Sequence, residues 1–233
     1  MDEQRSLEME YTVDFVICID ATSSMKPFIH EVKTNILKFF PAFRECLEMH
    51  CLTLDYCHYR VKIIAFRDYD CRDCSAMVES DFFVLPDGEK RLHAFLDEIE
   101  ARGGGDYRKN ALEAVALALK SKWMTEGDKR RHVILVFTDN AALPLDARVS
   151  NPKYPNGMPK SIDELKSWWE ENSHIPNGTN EADEGRMVVF APADRYPWNM
   201  VADWENVWIC DSNAGHGLLE LAMNPILDMI FLA

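Results

Sequence analysis

Three short segments hold side chains that could share a hard cation. They are Asp20-Ala21-Thr22-Ser23-Ser24, Gly103-Gly104-Gly105-Asp106 and Thr138-Asp139-Asn140. Carboxylates and hydroxyls are the oxygen donors that Mg²⁺, Mn²⁺ and Ca²⁺ take. In the first segment Asp20, Thr22 and Ser24 alternate, so a turn leaving a strand can face all three towards one point. The glycine run lets backbone approach closely and take positive φ.

A plainer reading competes with this one. Acids and hydroxyls at strand ends also cap helices, and Ser23 or Ser24 could simply cap the helix that follows. A second rival is a phosphatase with an aspartate nucleophile after its first strand. Such enzymes resemble Asp-x-Asp-x-Thr, but Thr22 stands where their second aspartate would act as general acid. No Gly-x-Ser-x-Gly elbow, Walker loop or GxGxxG fingerprint occurs.

These segments follow predicted elements that would position them. Residues 14–20 are a short apolar run ending in an acid, which suits a strand buried on both faces. Phe28, Ile29, Val32, Ile36, Phe40, Phe43 and Leu47 recur at helical spacing, with Pro41 expected to kink or break the helix. Further strands are predicted at 61–66, 82–85, 132–137, 187–191 and 207–210. Helices are predicted around Leu92–Ile99, Ala111–Leu119 and Ile162–Trp169, the last with Ser161 and Glu164 as a capping box. Residues 218–232 are predicted as a closing helix interrupted near Pro225. The stretch 140–161, with Pro144, Pro152, Pro155, Gly157 and Pro159, has the marks of a long functional or flexible loop. Alternating strands and helices imply one α/β domain over residues 1–233, with a mostly parallel six-stranded sheet, one antiparallel edge strand and helices on both faces. Ligands bind outside the carboxyl ends of strands in such sheets, which is where the three segments lie.

With these residues in place, the chain resembles the von Willebrand factor A (vWA) domain and its metal-ion-dependent adhesion site. That site opens on Asp-x-Ser-x-Ser. Here Asp20, Thr22 and Ser24 match it, and Asp139 matches the aspartate after the fourth strand. The resemblance covers essentially the whole chain and implies a Rossmann-like fold. It further implies a cation held by Asp20, Thr22, Ser24, Asp106 and Asp139, with an open position that a partner protein fills with Asp or Glu. Two departures stand out. Asp106 replaces the family's loop Thr, so three carboxylates surround one cation, which is held tightly but is a weaker electrophile towards an acidic partner. Asn140 stands where the family commonly has Gly, and Asn also tolerates the left-handed conformation.

Other residues lie on the same edge. Asp68 and Asp70 follow the second strand and add negative potential. Tyr196 and Trp198 follow the fifth, and aromatic residues are common interface anchors. Asp68, Tyr196 and Trp198 are therefore candidate partner contacts, against the plainer readings of a solvated turn and of rim packing.

The whole-chain numbers narrow the partners. The 233 residues carry 25 Lys and Arg against 39 Asp and Glu, a formal net charge of −14. Such a surface repels nucleic acid and anionic membranes. The first residues show no signal peptide, no stretch suits a membrane span, and a cytoplasmic location is expected. The seven cysteines are odd in number, which argues for reduced thiols. Cys18 and Cys210 read as core. Cys71 and Cys74 form a lone Cys-x-x-Cys, read as a loop with two free thiols. A zinc site there would need Cys57 and His58. The expected function is a divalent-cation-dependent, non-enzymatic protein-binding module. Alternatives are a metal-dependent hydrolase using Asp20 and a degenerate domain with structural contacts alone.

Overall fold

The computed structural model describes residues 10–49, 57–71, 73–104, 108–173 and 185–212. Asp106, the triplet Asn177-Gly178-Thr179, whose sequence suggests a turn, and the closing helix expected at 218–232 lie outside these residues.

Strand β1 (Tyr11–Asp20) is buried along its whole length. Its side chains alternate between two cores, with Phe15, Ile17 and Ile19 on one face and Val16 and Cys18 on the other. That demands cover on both sides, so β1 sits centrally. Parallel partners flank it: β2 (Cys57–Phe66) and β5 (Lys129–Phe137). Beyond β5 the sheet continues in parallel through β6 (Gly185–Ala191) to β7 (Val207–Asp211). At the other edge β2 pairs antiparallel with two short strands, β3 (Met77–Glu79) and β4 (Phe83–Leu85).

The described sheet therefore has seven strands where the sequence suggested six. The added strand is β3, a three-residue piece with no alternation to reveal it. Both β3 and β4 fit on one edge because β3 takes the carboxyl half of β2 and β4 the amino half.

Helices α1 (Ile29–Met49) and α2 (Glu89–Glu98) cover one face. Helices α3 (Ala111–Leu119), α4 (Ile162–Ser173) and the short α5 (Trp198–Val201) cover the other. The architecture is thus a mixed α/β, mostly parallel, Rossmann-like sheet with helices on both faces. Helix α1 runs through Pro41 without a break. Pro41 is on the exposed side, where the carbonyl it deprives of a donor can reach water. The capping box expected at α4 forms in part: Ser161 caps the helix, but the return bond of Glu164 goes to the residue before it. The Glu164 N–H donates to Ser161 Oγ at 3.2 Å, and Glu164 accepts from the Lys160 N–H at 2.8 Å.

The strand order is β3-β2-β1-β5-β6-β7. Chain progression runs outward from β1 in both directions, so the connections leaving β1 and β5 diverge to opposite faces. The switch point of the sheet lies between their carboxyl ends. Asp20 ends β1, and Thr138 and Asp139 follow β5.

Candidate metal centre

Asp20, Thr22, Ser24 and Asp139 come together at that switch point. Thr22 donates from both its N–H (2.9 Å) and its hydroxyl (2.7 Å) to Asp20 Oδ1. Thr22 Oγ1 lies 3.1 Å from Ser24 Oγ, and the Ser24 hydroxyl donates to Asp139 Oδ1 at 3.0 Å. The four side chains thus form one connected run of oxygens. Asp20 and Thr22 are fully buried, Ser24 is exposed and Asp139 is half-buried. The run therefore leads from the sheet out to solvent.

Two further side chains, not assigned a place in the donor network from the sequence, contribute. Thr138 donates from its hydroxyl to Asp20 Oδ2 at 2.8 Å, so both carboxylate oxygens are held. The Asn140 side-chain amide donates to Ser24 Oγ (3.1 Å) and Asp139 Oδ1 (2.8 Å). Asn140 does not take a left-handed conformation; among the described non-glycine residues Asn206 has the positive φ, at 58°. Its side chain acts here in place of its backbone. The strand-end position of both residues was the available signal. Thr22 precedes the short 3-10 turn Ser23–Met25 without a side-chain cap bond, and the Ser24 hydroxyl donates to Asp139.

The glycine loop behaves as its composition suggests. Gly103 and Gly104 have φ of 71° and 91°. A Cβ on Gly104 would stand 2.9 Å from Lys109 Nζ and 3.2 Å from Thr22 Cβ. The loop therefore approaches Thr22 closely, and the buried Lys109 ammonium flanks the site.

Burial drives the Asp20 carboxyl up to about 6, with the Asp139 charge adding to the rise, although the bonds from Thr22 and Thr138 pull it down. A carboxylate so placed is short of positive charge. The donor chemistry fits a hard divalent cation: two carboxylates and two hydroxyls, all oxygen. Their oxygens stand 2.7, 3.1 and 3.0 Å apart, at the spacing of hydrogen bonds. A cation there must displace the Asn140 amide from Ser24 and Asp139. Among the described residues no three His, Cys, Asp or Glu side chains cluster for a metal, so the hydroxyls are essential to this donor set.

The other sequence candidates sit differently. Asp68 is 2% exposed and is not open to a partner. It takes a two-pronged bond from Arg148, at 3.0 and 3.1 Å. Burial pushes its carboxyl up, but the Arg148 bonds and charge, the Asp70 N–H and the Lys109 charge outweigh it, and the net shift is downward. Trp198 is also no partner contact: it is fully buried and donates from its indole N–H to the Asn140 carbonyl at 2.9 Å. It buttresses the site from behind. Tyr196 is half-buried on the rim and remains available.

The long 140–161 loop is tied down at several points. Arg148 also pairs with Asp70 (2.9 Å), and the Asn151 amide donates to the Tyr69 carbonyl at 2.9 Å. The Tyr154 hydroxyl contacts the Leu145 carbonyl and Glu113. Glu113 is fully buried, and burial pushes its carboxyl up to about 7.

The cysteines depart from expectation. Cys71 and Cys74 are joined in a disulfide, with Cα atoms 5.7 Å apart. Their thiols are therefore not free, and the zinc reading fails. Cys57 opens β2 while Cys71 follows its far end, so the two cannot share a metal. Cys18 is core as expected, whereas Cys210 is only half-buried. No described helix is long and apolar enough to cross a membrane.

No family model matches the chain. Alpha-protein kinase vwkA of Dictyostelium discoideum is 24% identical over 160 residues, covering 68% of this chain and 23% of that protein. Pilus adhesin SpaC from Lactobacillus rhamnosus GG is similar in structure, with a TM-score of 0.58 at 12% identity, covering 96% of this chain and 31% of the adhesin. The PilB minor pilin from Streptococcus sanguinis gives a TM-score of 0.55 at 10% identity, covering 96% of this chain and 61% of the pilin. At such identities the structural likeness is one of fold. The chain spans less than two thirds of each of these proteins.

Proposed function

We propose that the chain is a divalent-cation-dependent protein-binding module of the vWA type, acting without turnover. The observation that carries this reading is the connected oxygen run Asp20–Thr22–Ser24–Asp139 at the switch point of the sheet. Mg²⁺ is the proposed ion, with Mn²⁺ or Ca²⁺ as alternatives, since an all-oxygen donor set suits each of them. Asp106 is the proposed further ligand, through the glycine loop. The hydroxyls of Thr22 and Ser24 bind directly. Asp20 and Asp139 bind directly or through water.

A position facing solvent beside Ser24 then accepts an Asp or Glu side chain of the partner. Lys109 supports this. Its ammonium, beside Gly104 and Thr22, offsets part of the negative charge that would repel an acidic side chain. Tyr196 is the proposed aromatic contact on the rim. The named adhesin and minor pilin are similar to this chain in fold. The proposed location is cytoplasmic, with no role for nucleic acid or membrane.

Lys109 also favours a second reading, phosphoryl transfer through a bound cation. Against it, Asp20 is buried with both oxygens engaged, an arrangement that suits a ligand better than a nucleophile. Partner capture with and without chelator separates the two. Capture that needs Mg²⁺ and is lost in Asp20→Ala, with no hydrolysis of a generic phosphate ester, supports binding. Ester hydrolysis lost in the same variant supports the enzyme.

A further inference from the structure

The Cys71–Cys74 disulfide is built into the support of the candidate metal centre. Both sulfurs lie against Gly103, where an added Cβ would stand 2.5 Å from each. The Gly103 carbonyl in turn accepts the Ser23 N–H at 3.0 Å. Ser23 sits between Thr22 and Ser24, two members of the oxygen run. A second route joins the same parts. The Arg67 guanidinium, on a residue 4% exposed, donates to the Ala21 carbonyl (2.9 Å) and to the Ser75 carbonyl (3.1 Å) just past Cys74. The Asp20–Ser24 loop is thus tethered to the disulfide loop at both Ala21 and Ser23.

A disulfide spanning three positions constrains little chain, so its contribution to global stability is small. Its two cysteines are half-buried and so not sealed in the core. Those two facts suit exchange better than stapling.

We propose that Cys71–Cys74 is a thiol–disulfide exchange site whose redox state sets the order of the Asp20–Ser24 loop. The matching reductant is a dithiol. One of its thiolates attacks a cysteine sulfur, the Cys71–Cys74 bond breaks and the other cysteine leaves as thiolate. In a mixed disulfide with a monothiol, that neighbouring thiolate would expel the reductant again. The second thiol of a dithiol completes the exchange instead. The reductant leaves as its own disulfide, and two electrons and two protons pass to the protein. The freed sulfurs move apart, because two thiols cannot stand at bonding distance, and Gly103 loses its seat. The consequence for cation affinity rests on the binding reading above. If reduction weakens the cation by some factor, the cation favours the disulfide by that factor.

The test compares the full chain as oxidised protein, as protein reduced with dithiothreitol, and as the Cys71→Ser, Cys74→Ser double variant. Peptide mapping after alkylation reports each thiol. Backbone amide exchange at Ser23 is expected to quicken about fivefold or more on reduction, with the double variant matching the reduced protein. Mn²⁺ affinity is expected to fall by a similar factor. Unchanged Ser23 exchange in the reduced wild type overturns the proposal, as does alkylation of Cys71 and Cys74 before any reductant is added. If Ser23 exchange responds but Mn²⁺ binds neither state, the exchange site stands and the cation reading falls. The reduced wild type keeps the test valid should the double variant fail to fold.

Discussion

Asp20 concentrates the argument at the scale of a residue. It is fully buried, accepts from Thr22 and Thr138, and burial drives its carboxyl up to about 6. Holding it ionised at neutral pH costs stability that a cation would restore. Asp20→Asn should therefore stabilise chelated protein at pH 7 by about 1–3 kcal/mol in thermal unfolding, while abolishing Mg²⁺ binding. Glu113 adds a pH dependence of its own. Asn110 donates to its Oε1 at 2.9 Å, and among the described residues no donor reaches Oε2. Burial raises it to about 7, so the folded chain binds a proton that the unfolded chain releases near 4.5. The stabilisation is fully present below that lower value and is lost as pH rises through 7. Chelated protein should lose about 1–3 kcal/mol between pH 5 and 8, and Glu113→Gln should flatten that slope in denaturant titrations. At this scale the site was partly legible. Asp20, Thr22, Ser24 and Asp139 show themselves by type and strand-end position. Asp68 and Trp198 misled, because nothing local reveals that Arg148, distant in sequence, covers one and that the core swallows the other.

At the scale of elements, the 140–161 stretch changes character from loose loop to fixed wall. Arg148 bridges from it to buried Asp68, and its removal leaves that carboxylate without its main partner. Arg148→Ala should destabilise the fold by about 2–4 kcal/mol, less than for a fully enclosed pair because Arg148 retains 18% exposure. The effect should shrink in acid, since the depressed Asp68 carboxyl contributes only above its unfolded pKa near 4 and loses that contribution as pH falls. Gly103 joins two elements by its lack of a side chain. Gly103→Ala meets both sulfurs and a φ of 71°, so it should leave Cys71 and Cys74 reduced in thiol mapping under conditions that oxidise the wild type. The sequence showed the long elements well, since β1, β2, β5 and the helices carry strong periodicity. It hid β3, too short for a period, and the continuity of α1 through Pro41, which depends on which side of the helix meets water. The pairing of Cys71 with Cys74 was hidden as well, because spacing alone does not distinguish a disulfide from free thiols.

For the whole molecule, the sheet order explains why separate segments meet. Progress outward from β1 places the ends of β1 and β5 side by side at the switch point, and the oxygen donors follow from that. The net charge of −14 is spread over many side chains, but the part at this switch point is organised, with Asp20 buried and Asp139 half-buried, and is flanked by Lys109. The central claim is that these oxygens hold a divalent cation. Its most direct test is calorimetric titration of chelated full chain with Mg²⁺ and Mn²⁺, repeated on Asp20→Ala and Ser24→Ala. Saturable binding at a single site is expected in the wild type, lost in Asp20→Ala and weakened about tenfold or more in Ser24→Ala. No saturable heat in the wild type, or equal binding in Asp20→Ala, would contradict it.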